Sequence, residues 1–133
     1  MYYITLIMKN NFLENFKYLY YFSLIVLLTL YLFPGSLIGY LLYGDLGRQP
    51  NFINNPFGTS INHFIFFVYL SILAILCDLK KFRILTNFYF ILMISIFLEI
   101  FHFIIPNRAF EAYDLTANMT GVILVFLIKK IFK

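Results

Sequence analysis

The sequence predicts an all-α, polytopic membrane protein with four transmembrane helices and both termini cytoplasmic. Three observations carry that expectation. Of the 133 residues, 62% are hydrophobic and only 12% charged, whereas a soluble domain carries about 25% charged residues. The apolar residues gather into segments of near-spanning length, separated by turn residues and charges. Lys and Arg also alternate between the intervening segments as membrane topology requires: Lys9 and Lys17 lead in, Lys80, Lys81 and Arg83 lie between the second and third spans, and three lysines close the tail. The other two connections carry one arginine each, Arg48 and Arg108, and are assigned to the outside. The length suits one domain, residues 1–133.

Residues 1–17 read as a short amphipathic lead-in, and the first span as about 16–33, roughly 27 Å of helix against a hydrocarbon core of about 30 Å. Because Lys9, Glu14 and Lys17 precede it and no small-x-small pattern follows, the span is read as retained rather than cleaved. Pro34-Gly35 ends it. The connection Ser36–Ser60 is rich in Gly, Pro and Asn; its apolar piece Leu37–Tyr43 is too brief to span and lies in the interface or dips in as a re-entrant turn. The remaining spans are expected at about 61–76, 87–105 and 114–131.

Net charge is +4, but the basic residues flank apolar segments and form no stripe, which argues against nucleic acid as a partner. One cysteine, Cys77, excludes an intrachain disulfide and a Cys-rich metal site.

The polar residues that remain are informative, because ionisable groups within a span are costly and mark function by default. The topology brings them to one surface. Asn62 and His63 open the second span, Glu99 and His102 close the third, Arg108 follows in the outer loop, and Asp114 and Asn118 open the fourth. Glu99 and His102 fall about 60° apart on one helical face, and Asp114, Asn118 and Gly121 within about 60° of one another. Gly121 permits close approach of a neighbouring helix.

Simpler roles stand beside a binding role. Asp114 suits an N-cap or an ion pair with Arg108, Asn118 and Gly121 suit helix packing, and each histidine suits an interfacial hydrogen bond. Glu99 is the hardest to place in that way, since a buried carboxylate needs a cationic partner or a raised pKa; Arg108, His102 and His63 are the candidate partners. Glu99-x-x-His102 projects two possible metal ligands from one helix, but no second such pair follows, so no metal is assigned. No Gly-x-Ser-x-Gly element is present and no catalytic residue is assigned, although a His, Arg and carboxylate set could serve phosphoryl chemistry.

Glu99-x-x-His102-x-x-x-Pro106-x-Arg108 followed by Asp114-x-x-x-Asn118-x-x-Gly121 resembles the signature of the VanZ-like family of small bacterial membrane proteins, and His63-Phe64 with Tyr69 is similar to that family's earlier element. The resemblance covers about residues 62–128. It departs where His102 stands for the family's usual Gln, Thr59-Ser60 for an acidic-basic pair, and Val125 for a further glycine. It implies a multi-pass protein of the bacterial cytoplasmic membrane, from a family whose namesake is associated with teicoplanin resistance. The expected function is an outward-facing polar pocket for an anionic lipid or lipid-linked envelope precursor, formed by Glu99, His102, Arg108, Asp114, Asn118 and His63, with no cofactor. The alternatives are an enzyme acting on phosphorylated lipids and a structural membrane protein, with homo-oligomerisation open to either.

Overall fold

The structure, a computed structural model, describes residues 2–51, 53, 56–77 and 83–132, with the side chains of all but 2–15, 83 and 84. Among the described residues every regular element is a helix, with no strand: α1 (Tyr2–Leu32), α2 (Leu37–Tyr43), α3 (Ser60–Leu76), the single turn α4 (Arg83–Thr86), α5 (Phe88–Phe101) and α6 (Ala112–Ile131). The backbone helix of α1 runs back through the expected lead-in without a break. Lys80, Lys81 and Lys133, three of the basic residues used to orient the chain, lie outside the described residues.

No single helix among the described residues is long and apolar enough to cross a membrane. Phe16–Leu32 and Leu37–Tyr43 meet that test together, but they are bent by 81° at the break between them. Pro34 and Gly35 make the break, with Gly35 at φ +83° and a backbone only glycine adopts freely. Ser36 then caps α2 by accepting from the Gly39 N–H at 2.9 Å, and Gly44 at φ +70° closes it.

Helix α3 packs on α6, α6 on α5, and α1 on both α3 and α5. Burial follows helical periodicity: Tyr20, Ser23, Leu27 and Tyr31 on α1, Ile91, Ser95, Leu98 and Glu99 on α5, and Asp114, Asn118, Gly121, Val122 and Val125 on α6. The core at one end is apolar, with Tyr20, Phe67, Leu70 and Ile91 fully or almost fully buried. At the other end it is polar. Outward faces are the reverse, carrying Tyr18, Phe22, Ile25, Phe97 and Ile104 to the surface.

Two further boundaries differ from expectation. Helix α5 ends at Phe101 rather than at 105, because Pro106 disfavours helical backbone before it and the last turns tighten: the N–H groups of His102, Phe103 and Ile104 each bond the carbonyl three residues back. Helix α6 begins at Ala112, two residues early. Asp114 therefore sits inside the first turn and not at the cap, which is Glu111.

The 44–51 loop is held close over α2. A Cβ on Gly39 would lie 1.7 Å from the Arg48 carbonyl oxygen. Gly39→Ala is expected to cost about 1–3 kcal/mol through displaced backbone and to raise the rate of proteolysis within 44–51; an unchanged cleavage rate would contradict this packing.

Candidate functional site

Arg108 is aimed by a turn. The Ile105 carbonyl accepts from the Arg108 N–H at 3.3 Å, Pro106 occupies the second position and Asn107 adopts φ +58° at the third, the pattern of a type II turn. Stacking of Phe103 on Phe110, with ring centroids 4.6 Å apart, holds the two limbs of this connection together. The guanidinium then donates to the carbonyls of Leu30 at 2.5 Å and Phe33 at 3.4 Å. These are orphan acceptors at the C-terminus of α1, where a cation also complements the helix dipole. The expected pairing of Arg108 with Glu99 or Asp114 is therefore replaced. Among the described residues the carboxylates instead lie within 4 Å of histidine nitrogens, Asp114 of His63 and Glu99 of His102. Burial pulls the Arg108 pKa down from its ordinary value, opposed by Tyr31, Glu99 and Asp114.

Asp114 enters from the first turn of α6. Its Oδ1 accepts from Ser60 Oγ at 2.5 Å and its Oδ2 lies 3.3 Å from His63 Nε2, so it bridges to the first turn of α3. His63 Nδ1 lies 2.5 Å from the Tyr31 hydroxyl, which donates to Asn118 Oδ1 at 2.8 Å. Asn118 Nδ2 in turn donates to the Ser95 carbonyl at 3.4 Å. Five side chains and a carbonyl thus connect α1, α3, α5 and α6 through hydrogen bonds and the 3.3 Å contact between His63 and Asp114. Asn118 is wholly buried and Asp114 3% exposed.

The direction of each bond is determined. A carbonyl only accepts, so Asn118 must turn its amide N–H to Ser95 and its Oδ1 to Tyr31. Tyr31 has a single proton and spends it on Asn118. His63 Nδ1 must then be the donor to Tyr31.

Glu99 and His102 form the adjoining pair at the end of α5. Glu99 Oε1 lies 3.2 Å from His102 Nδ1 and accepts from the Glu111 N–H, also at 3.2 Å. Tyr31 joins the two groups, stacking on His102 with centroids 5.5 Å apart. Glu99 is 0% and His102 3% exposed, yet Glu99 Oε2 and His102 Nε2 have no hydrogen-bond partner. The Glu111 carboxyl, beside this group, has its pKa raised by burial and then by the Asp114 and Glu99 charges.

All six residues expected to form a site are thus at one end of the bundle. His63, Asp114 and Asn118 share one network, Glu99 and His102 form a second pair, and Arg108 caps α1 beside them. Gly121 lies a turn deeper, against α3. Sequence reasoning missed Tyr31 as the hub. Its signal was a place on the buried stripe of α1 near the end assigned to the outer surface, but it is one of 11 tyrosines.

A cavity of about 390 Å³ opens beside the network, between α1, α2 and α3. Leu27, Leu30, Leu37, Ile38, Ile65 and Phe66 supply its apolar wall, and Arg108, His63, Tyr31, Asn62 and Gln49 its polar groups. Asn62 Nδ2 donates to the Pro50 carbonyl at 2.8 Å and so ties the 44–51 loop over the opening. Tyr69, also lining it, bonds Ser23 Oγ at 2.8 Å. No protein-family model, curated protein or solved structure matches the chain.

Proposed function

We propose that the protein is a multi-pass bacterial membrane protein that binds an anionic lipid or lipid-linked envelope precursor. The observation that carries this reading is the cavity that joins a wall of Leu, Ile and Phe side chains to Arg108 and His63. Its volume falls within the range of small-molecule sites, about 300–1,000 Å³, enough for a head group and the first part of an acyl chain. Arg108 supplies the charge that favours phosphate over a neutral head group. The apolar outer faces and the buried polar network support a lipid environment, in which polar groups turn inward. The VanZ-like spacing supports the same class.

The test is native mass spectrometry of protein reconstituted with phosphatidylglycerol or with phosphatidylcholine of the same chains. Arg108→Gln keeps donors for the α1 carbonyls and removes the charge. Wild type is expected to retain phosphatidylglycerol, and the variant to lose at least tenfold of that preference, about 1.4 kcal/mol. An equal lipid load on both would sink the reading.

One observation favours a structural role instead: Arg108 and Nδ1 of His63 are already engaged within the protein, and Nε2 of His63 is turned to Asp114. On that reading Glu99→Gln lowers thermal stability and leaves lipid retention unchanged. The same engagement disfavours His63 as a nucleophile or base toward a phosphorylated lipid.

A further inference from the structure

The bond directions around His63 leave a requirement that protein atoms do not meet. With Nδ1 donating to Tyr31, the Nε2 lone pair of neutral His63 faces Asp114 Oδ2 at 3.3 Å. Two acceptors at that distance repel unless a positive charge lies between them. A single proton would satisfy this pair, but it would leave Glu99 beside it, wholly buried with Oε2 unpartnered. Three donor atoms, one each from His63, Glu99 and Asp114, lie within 4.8 Å of one another.

We propose that His63, Glu99 and Asp114 bind a divalent transition-metal ion of the zinc or manganese class. One imidazole and two carboxylates are a donor set such ions accept. Their two negative charges are neutralised by a dication, which one proton cannot do. In a tetrahedral site with bonds of about 2.1 Å the donors stand about 3.4 Å apart, so donors now within 4.8 Å close by about 1.4 Å at most. The hydrogen bonds that would orient the three donors are already in place: Tyr31 accepts from His63 Nδ1–H, Ser60 donates to Asp114, and the Glu111 N–H and His102 hold Glu99. Three protein donors leave one position for water or an anionic group. His63 also lines the cavity.

The experiment uses the full chain in detergent, without added lipid, so its outcome does not depend on the lipid reading. After chelation, the protein is dialysed against Zn2+ or Mn2+ and its metal content and thermal midpoint are measured. One equivalent of metal with a raised midpoint is expected for wild type, and at least tenfold weaker binding for Glu99→Gln and Asp114→Asn. No binding by wild type, or unchanged binding in both variants, would overturn the site. If the variants do not fold, X-ray absorption of the wild-type complex decides. One imidazole with oxygen donors supports the assignment, whereas sulfur or several imidazoles refutes it.

Discussion

Gly121→Leu is expected to separate α3 from α6 and to unfold the protein at temperatures where wild type is intact. A Cβ at this position would lie 2.8 Å from the Phe64 carbonyl oxygen and 3.2 Å from both Phe67 Cβ and the Val68 nitrogen. Two of those three atoms are backbone of α3 and cannot turn aside as a flexible side chain would. Overpacking of this kind typically costs about 1–3 kcal/mol, and alanine regains about 1 kcal/mol in helix propensity. Gly121→Ala should therefore be mildly destabilised and Gly121→Leu severely so. The hydrogen bond from Ser60 to Asp114 and the 3.3 Å contact between His63 and Asp114 cross the same interface, so the leucine variant should also lose retained lipid. Thermal unfolding in detergent measures the first effect, and native mass spectrometry the second. A Gly121→Leu protein with the wild-type midpoint would show that the close approach is not required.

Asp114→Ala should be as damaging, for an electrostatic reason. It removes the acceptor for the Ser60 hydroxyl and the partner of His63 together, leaving polar groups buried at the junction of the two helices. Breaking a buried pair from one side costs about 3–5 kcal/mol. In a double-mutant cycle with His63→Gln, measured in chelator, the two substitutions should be non-additive by about 0.5–3 kcal/mol. Additive losses would mean that the 3.3 Å contact contributes nothing.

Much of the site was legible because periodicity and topology both act on whole helices. The phase of Asp114, Asn118 and Gly121, and that of Glu99 and His102, follows from 3.6 residues per turn, and each set is buried. What escaped the sequence were partners without a sequence signal. Charge complementarity directed Arg108 to a carboxylate, whereas the free carbonyls at the end of α1 take it. Those acceptors exist only because Pro34-Gly35 ends the helix near the turn that aims the arginine. Tyr31 was hidden by abundance, and its hydroxyl acquires a role only when α3 and α6 deliver His63 and Asn118 to it. The end of α5 was placed too late because hydrophobicity continues through Ile104 and Ile105 after the backbone has left the helix.

The early end of α5 also bears on the proposed bilayer. Its 14 residues give about 21 Å of helix at 1.5 Å per residue, well short of a hydrocarbon core of about 30 Å. A short hydrophobic segment is accommodated by thinning the surrounding lipid, at a fraction of a kcal/mol per Å of mismatch. Lipid head groups would then settle into a dimple over the ends of α5 and α6. That deformation would bring an approaching head group down to the level of Arg108 without any opening motion of the protein, and it would favour residence in thinner membranes.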